Sequence, residues 1–327
     1  MTKIWNVGIL GPGKIANRLA SSFQYVPQAK VYAVASRDIS KAKEFAATYN
    51  VEKAYSSYQE MLNDPAVDLV YIATPHPFHH EQTLLCLNHG KAVLCEKPLS
   101  LNLRQAKEMI DLARMKKIFL MEGMWSRFFS ATHKTLDIIK SGVIGEIQSL
   151  HADFGFPGLP SPDGRLYNLK LGGGAQLDVG VYPMFLALLI LGKPDEIKAF
   201  SRLASTGADT TTQAMFKYKS GAIAHILSSI VSDSPKDAHI MGISGRIVIH
   251  APWHKSKMVT LQLNSGETTE YVFPHSDNGF EFQLQHVVKC LEEKKTESEL
   301  MPFNLSLLMA ETADEIRTQI GVKYEVD

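Results

Sequence analysis

A glycine-rich turn near the start of the chain has the residue types and spacing of a phosphate-binding loop. Gly11, Gly13 and Ala16 follow an apolar stretch and come just before a helical repeat of apolar residues. The first glycine permits a tight turn, the second lets the backbone approach a pyrophosphate, and the small third residue lets the helix pack on the sheet. The phosphates would bind at the helix N-terminus, where free N–H groups and the helix dipole favour negative charge. The turn therefore predicts a dinucleotide site, with Lys14 and Ile15 among its contacts.

The end of the next predicted strand, at 30–36, selects between the two nicotinamide cofactors. An acidic residue there would bind the ribose 2′-hydroxyl of NAD, whereas an arginine accommodates the 2′-phosphate of NADP. Ser36 can donate to a phosphate, and Arg37 can pair with it and stack on the adenine. Asp38 lies about one or two positions after the place where an acidic residue would bind the ribose 2′-hydroxyl of NAD. We therefore predict NADP, with NAD as the less favoured alternative; in the other interpretation Arg37 is a solvated loop residue.

These loops belong to a predicted α/β domain with a doubly wound parallel sheet of the Rossmann type. Apolar strands alternate with helices at short spacing, which is typical of such sheets. From about residue 147, alternating strands and hairpins predict instead an α+β domain with a large open, mostly antiparallel sheet. Helices at 182–191 and 280–291 would pack on one face of it. We expect a dinucleotide-binding domain over 1–122 and a substrate-binding and dimerisation domain over 123–327.

Further motifs lie at the ends of predicted strands of the first domain, where ligands bind in such sheets. Glu96-Lys97-Pro98 follows one strand and Thr74-Pro75 follows an earlier one. Together with the glycine turn, they resemble the glucose–fructose oxidoreductase/inositol dehydrogenase (Gfo/Idh/MocA) family. The detail is most similar to its dimeric dihydrodiol dehydrogenase and NADP-dependent D-xylose dehydrogenase branch. The resemblance covers essentially the whole chain and continues in motifs at 123–129, 172–183, 297–298 and 316–321.

The resemblance implies hydride transfer between NADP and a sugar-like or cyclic vicinal-diol substrate. It assigns the acid/base role to Tyr182, four residues after Asp178, where many relatives outside this branch carry a histidine. Lys97 and Asp178 complete the implied catalytic set. His76 stands where many relatives have asparagine, which leaves a nicotinamide contact at this position open. The resemblance also implies a homodimer formed through the sheet of the second domain.

The residue types suit this chemistry. Oxidation of a carbinol removes a hydride, which the cofactor accepts, and a hydroxyl proton, which needs a positioned base. The ordinary pKa of a tyrosine is about 10, and a nearby ammonium such as that of Lys97 favours the tyrosinate. Lys97 would also donate to the substrate oxygen as negative charge develops, and Asp178 would bind a second hydroxyl or orient Lys97. Taken alone, Tyr182 could be a core residue, Lys97 a solvated strand end, and Asp178 a helix N-cap.

Several other side chains are candidates for the site. Trp125 and Arg127 follow the last strand of the first domain. They would line the nicotinamide and substrate pocket, or instead belong to an aromatic hinge that packs the two domains together. The predicted cofactor contacts are Gly11, Gly13, Lys14, Ile15, Ser36, Arg37, Thr74, Pro75, His79, Glu96, Lys97, Trp125 and Arg127. The predicted substrate contacts are Trp125, Arg165, Asp178 and Phe280. For His79 the alternative is a helix cap.

No metal is predicted. His76, His79 and His80 lie close in sequence, but no further ligand stands at zinc-like spacing, and hydride transfer needs no Lewis acid. The three cysteines form no C-x-x-C pair, which indicates neither a disulfide framework nor a zinc knuckle. A reducing, cytoplasmic location is therefore expected.

The composition argues against other classes of partner. Lys plus Arg and Asp plus Glu both total 34, and the resulting formal net charge of zero predicts neither nucleic acid nor an anionic membrane as partner. No uninterrupted apolar run has the length of a membrane span. Two alternative functions stay open: a cofactor-binding regulator without turnover, and an inositol or anhydrosugar dehydrogenase of the same family. The presence of both Lys97 and Tyr182 argues against the regulator, because binding alone does not need them.

Overall fold

The structure, a computed structural model, describes residues 3–275 and 278–327. The described residues form two compact units. The first unit comprises 3–125 and 278–306, and the second comprises 126–275 and 307–327. The chain therefore leaves the first unit and later returns to it, which a single boundary at 122/123 does not describe.

The first unit is an α/β domain of the predicted Rossmann type. Its strands are β1 (Trp5–Leu10), β2 (Ala29–Ala35), β3 (Lys53–Tyr55), β4 (Leu69–Ile72), β5 (Ala92–Glu96) and β6 (Leu120–Gly123). All are parallel, in the spatial order β3-β2-β1-β4-β5-β6. The order in which successive strands are added to the sheet reverses between β1 and β4, which is where ligands bind in sheets of this kind.

The helices of the first unit follow its strands. They are α1 (Lys14–Ser22), α2 (Ile39–Tyr49), α3 (Tyr58–Leu62), α4 (His79–Asn88) and α5 (Leu103–Lys116). Every residue of β4 and β5 is buried, as in a sheet covered by helices on both faces. The returning segment contributes α8 (Phe280–Glu292), which packs on α1. This contact places α8 in the first unit, although we expected it in the second domain.

The second unit is built on an eight-stranded sheet. Its strands are β7 (Ile147–Gly155), β8 (Glu196–Leu203), β9 (Asp209–Lys217), β10 (Ile223–Ser229), β11 (Ala238–Gly242), β12 (Gly245–Ile249), β13 (Met258–Leu263) and β14 (Thr268–Val272). Their order is β14-β13-β12-β11-β7-β10-β9-β8. The pairings are antiparallel except between β7 and β10, which run parallel. The prediction of a mostly antiparallel sheet is confirmed.

Three further helices complete the described chain: α6 (Ser130–Lys140), α7 (Val181–Leu191) and α9 (Phe303–Ile320), which begins in the first unit and continues in the second. A helical stretch that includes α7, Leu169–Leu191, has the length and mean hydropathy (1.6) of a membrane span, but 83% of its most apolar part is buried within the protein. α7 packs on β7 and β10. We interpret it as a core helix, since a helix that is apolar on all sides is buried.

Candidate active site

The glycine turn between β1 and α1 has the geometry of a phosphate-binding loop. Gly11 has a φ of +86°, and a Cβ placed there would lie 2.8 Å from Cγ2 of Thr74, so this position requires glycine. Gly13 precedes α1 and provides no capping side chain, which leaves the first N–H groups of the helix for an anion. Ala16 is fully buried, as the close packing of helix on sheet demands. These residues fit the pyrophosphate of a dinucleotide.

Of the three residues that follow β2, Ser36 and Asp38 accept local hydrogen bonds, and Arg37 and Asp38 are exposed. Asp38 caps α2, because its Oδ1 accepts from the backbone N–H of Ser40 at 3.0 Å. Ser36 is buried, and its Oγ accepts from the N–H of Asp38 at 3.2 Å. The guanidinium of Arg37 is exposed and lies 5.5 Å from the ring centre of Phe78. The charged side chain open to a ligand here is therefore a cation.

His79 connects the loops that follow β4 and β5. It is fully buried, with Nε2 2.9 Å from the carbonyl oxygen of Thr74 and Nδ1 2.8 Å from that of Pro98. Burial lowers the pKa of His79, which favours a neutral ring with a single N–H. Both ring nitrogens thus face backbone carbonyls, so the predicted cofactor contact of His79 would need the other atoms of the ring. The side chain of His79 therefore does not cap a helix, which was the alternative interpretation.

The side chain of Glu96, the first residue of the Glu96-Lys97-Pro98 motif, is buried. The hydroxyl of Tyr71 donates to Oε1 of the buried Glu96, and the N–H of Lys97 donates to its Oε2 at 3.3 Å. Burial raises the pKa of the Glu96 carboxyl, opposed by the Tyr71 hydroxyl and by Lys97. Lys97 itself is partly exposed. The predicted cofactor contact of Glu96 would therefore involve its backbone, because its side chain is buried.

Two of the predicted substrate contacts meet in the first unit. The rings of Trp125 and Phe280 stack with their centroids 4.8 Å apart and only 3° between their planes. Phe280 is 1% exposed and Trp125 8%, so the pair forms a rigid flat wall. Arg127, in the second unit, is also buried, and burial lowers the pKa of its guanidinium.

Asp178 does not cap a helix, in contrast to the simpler of its two interpretations. It lies within a π-helical turn, Gln176–Gly180, that leads into α7. The N–H of Gln176 is instead bound by Oδ2 of the buried Asp209, at 2.7 Å. Gly174 permits this approach, because a Cβ there would lie 2.2 Å from Oδ1 of Asp209. Asp209, from β9, is a residue that sequence reasoning missed.

The Asp178 side chain is held by Arg165, another predicted substrate contact. The guanidinium donates to both carboxylate oxygens, at 2.7 Å to Oδ1 and 3.2 Å to Oδ2. Burial acts to lower the pKa of Arg165, but the Asp178 carboxylate outweighs it and holds that pKa above its ordinary value. The structure therefore brings two predicted site residues together as a bidentate ion pair.

Tyr182 lies in the first turn of α7, with Pro183 beside it in the position that a helix tolerates. Its side chain is 6% exposed and packs against the rings of Phe154 and His254, at centroid distances of 5.3 and 5.6 Å. The His254 ring in turn stacks on Phe154 at 4.3 Å. His254 is a candidate that sequence reasoning missed, since it is a single histidine in a loop with no motif around it.

One group of potential metal ligands occurs in the described part of the chain, and it lies outside these motifs. The ligand atoms of His286, Cys290 and Glu299 lie within 4.8 Å of one another. However, Lys295 lies 3.0 Å from the Glu299 carboxylate, and burial raises the pKa of the Cys290 thiol to about 11. The Oγ of Ser298 is 2.7 Å from Nε2 of His286. We interpret the group as a hydrogen-bonded network.

A Rossmann sheet with a glycine turn at its switch point, joined to a second α+β unit, is typical of nicotinamide-dependent oxidoreductases. The chain belongs to the GFO/IDH/MocA family. Residues 5–124 match the family's model "Oxidoreductase family, NAD-binding Rossmann fold", and residues 132–248 match its C-terminal domain. The resemblance seen in the sequence is confirmed.

Relatives of known activity cover the whole chain. It is 37% identical over 332 residues to trans-1,2-dihydrobenzene-1,2-diol dehydrogenase of Mus musculus, and 34% over 333 residues to that of Homo sapiens; each comparison spans 98% of both chains. Among solved structures it is similar to KijD10, a 3-ketoreductase from Actinomadura kijaniata in complex with NADP and TDP-benzene. That similarity has a TM-score of 0.88 and 27% identity over 97% of this chain and 98% of that one. The protein is thus an NAD(P)-dependent dehydrogenase.

Proposed function

We propose that this protein transfers a hydride between NADP and a sugar-like or cyclic vicinal-diol substrate, with Tyr182 as the acid/base, assisted by Lys97. The observation that carries the proposal is the setting of Tyr182, a phenol buried against the rings of Phe154 and His254 directly after the π-helical turn. A buried hydroxyl in an aromatic setting is shielded from water, which strengthens its interaction with a charged neighbour. The dihydrodiol dehydrogenases to which the chain is similar support the substrate class.

The cofactor part of the proposal is supported by the turn at Gly11 and by Arg37. Gly11, Gly13 and the start of α1 would hold the pyrophosphate, and Ser36 with Arg37 would hold the 2′-phosphate. NADP, when bound, supplies the hydride acceptor or donor. KijD10 was crystallised with NADP, which supports the same choice here.

The substrate proposal is supported by two arrangements already described. The stacked Trp125 and Phe280 form a rigid apolar pair, and the small exposed part of Trp125 would contact a substrate ring. The carboxylate of Asp178, fixed by Arg165, is an acceptor for a second hydroxyl. In the oxidative direction Tyr182 would take the hydroxyl proton, and the Lys97 ammonium would donate to the oxygen as charge develops on it.

Screening of NADP reduction across arene trans-dihydrodiols, aldopyranoses and inositols tests the substrate class. We expect turnover with an arene trans-dihydrodiol or an aldopyranose. Turnover confined to inositols would favour the alternative dehydrogenase, and tight NADPH binding without turnover of any of these compounds would contradict the proposal.

The 2′-phosphate role of Arg37 leads to a prediction for cofactor affinity. Replacing Arg37 by alanine removes the exposed guanidinium but leaves the cap of α2 by Asp38 in place. Because a hydrogen bond to a charged group contributes about 1.5–3 kcal/mol, we expect the Kd for NADPH to rise roughly 10- to 100-fold. The Kd for NADH, measured by fluorescence titration, should change little. As a control, Arg104→Ala removes another exposed arginine, which is paired with Glu108. Equal losses for NADPH and NADH in Arg37→Ala would refute the phosphate contact.

We further propose that the protein is a homodimer formed through the sheet of the second unit. Phe200, Met215 and Ile223 lie on adjacent strands and point to the same face, with exposed fractions of 78%, 51% and 40%. Exposed apolar side chains grouped in this way are typical of an interaction surface. A second copy of the chain is the occupant that the family resemblance implies.

Light scattering tests the dimer. We expect a dimer at micromolar concentration. We expect Met215→Arg to raise its dissociation constant roughly 100-fold or more, since it adds a second cation opposite Lys198 and an unpaired buried charge costs about 3–5 kcal/mol. Leu159→Arg is the matched control, because Leu159 is exposed (89%) but lies in a loop outside the sheet. A monomeric wild type, or dissociation by both variants alike, would rule out this surface.

The cysteines support a proposed location in the cytoplasm. Cys86, Cys95 and Cys290 are free thiols and all are buried. Free thiols are typical of proteins in a reducing compartment.

A further inference from the structure

The backbone that follows β5 is held by three buried side chains. The N–H of Lys97 donates to Glu96, and the carbonyl oxygen of Pro98 lies 2.8 Å from Nδ1 of His79. The next residue, Leu99, donates its N–H to Oε1 of Glu122 at 2.9 Å. Glu122 therefore anchors the chain two residues after Lys97, although no motif marks it in the sequence.

Glu122 is also one of two carboxyl groups buried next to that lysine. It lies on β6, opposite Cys95 of β5 in the sheet register, while Glu96 is the next residue of β5. Glu122 is 3% exposed and Glu96 5%. Two carboxylates cannot both be charged in such an interior without a compensating cation, and Lys97 is the cation whose charge acts on both.

The electrostatics agree with this arrangement. The pKa of Glu122 is raised to about 7, because burial and the neighbouring Glu96 raise it by more than the Ser306 hydroxyl, the Leu99 N–H and Lys97 lower it. Glu96, Cys95 and Lys97 are the titratable groups that interact with Glu122. Glu122 is therefore mostly ionised only above a pH of about 7.

We propose that Glu122 is a positioning residue for Lys97, which anchors the Lys97–Leu99 backbone and, with Glu96, provides the buried counter-charge of the lysine ammonium. This inference rests on the proposed function for the role of Lys97 in the reaction. A purely structural Glu122 would hold the backbone but would have no effect on the protonation of the lysine, and this difference can be measured.

Glu122→Gln separates the two roles, because the amide oxygen can still accept from Leu99 while the charge is lost. Loss of a nearby carboxylate disfavours the ammonium. In the pH profile of kcat, activity at alkaline pH requires the charged lysine. We therefore expect the alkaline limb of this profile to move by about one pH unit towards lower pH. Glu122→Asp keeps the charge and should keep the wild-type limb to within a few tenths of a unit. Asp64→Asn is the matched control, since Asp64 accepts from a backbone N–H and from tyrosine hydroxyls but does not contact this motif.

A second measurement does not depend on turnover. Trace acetylation with acetic anhydride modifies only the neutral amine, and mass spectrometry of the peptide that contains Lys97 gives the pH of half-maximal labelling. We expect this midpoint to fall by about one unit in Glu122→Gln and to stay constant in Glu122→Asp and Asp64→Asn. If the wild type turned over no substrate, the proposed function would fail while the labelling midpoint still decided this inference. An unchanged midpoint in Glu122→Gln, or an equal fall in Glu122→Asp, would overturn it.

Discussion

Replacement of Tyr182 by phenylalanine is expected to lower kcat by roughly 10²- to 10⁴-fold, the usual contribution of a positioned acid or base. The substitution removes only the hydroxyl. The ring can still pack against Phe154 and His254, so the fold of the second unit should be retained. NADPH binding should persist, because the glycine turn and Arg37 belong to the first unit. Steady-state kinetics on the best substrate of the screen, together with the Kd for NADPH, measure both effects.

A matched control is available in the same unit. Tyr218 is as buried as Tyr182, at 6% exposure, and lies directly after β9. Tyr218→Phe should change kcat by less than about threefold, since a substitution outside the reacting groups alters catalysis little. If Tyr182→Phe lost less than tenfold, another group would have to be the proton donor, and His254 would be the first to examine because its ring packs against that of Tyr182.

Replacement of Lys97 by methionine is expected to lower kcat roughly 10²- to 10³-fold, the cost of losing one donor to a developing oxyanion. Methionine preserves much of the length and apolar volume of lysine, so the change is mainly the loss of charge. The exposed Lys107→Met, on α5, is the control for loss of one lysine from the first unit and should have kcat within about twofold of wild type.

The double variant decides whether the lysine assists the tyrosine. Residues that act as a unit show strongly non-additive losses. We therefore expect Tyr182→Phe/Lys97→Met to be about as slow as the slower single variant. A multiplicative loss would mean that the two residues act independently, which would contradict the assistance proposed here.

The backbone features from which the sequence predicts a nucleotide site depend on short stretches of chain. The turn at Gly11 and the start of α1 follow from local backbone sterics and free N–H groups, so the spacing of three small residues is sufficient to find them. The same holds for Arg37, because a strand end places the next side chain at the ligand-binding edge of a parallel sheet.

The prediction of the second unit was less complete for a physical reason. Its alternating strands are visible in the sequence, but the parallel pairing of β7 with β10 brings together segments about 75 residues apart, as in Ala152 opposite Ile226. Asp178 has the local pattern of an N-cap, yet Asp209 binds the turn instead and leaves Asp178 to Arg165. Which carboxylate binds the turn depends on which one lies close to it in the folded chain. Local propensities describe neighbouring residues only, so they cannot predict this distance.

By itself, the sequence determined the class of the protein: a Rossmann nucleotide domain joined to a sheet-rich domain, with the lysine and tyrosine motifs of the GFO/IDH/MocA family. It did so because strand period, glycine turns and motif spacing are properties of neighbouring residues. Only the tertiary structure showed which side chains surround those motifs. Glu122 beside the Lys97 motif, and His254 against Tyr182, carry no signal of their own, since burial and charge neutralisation arise only when distant segments pack together.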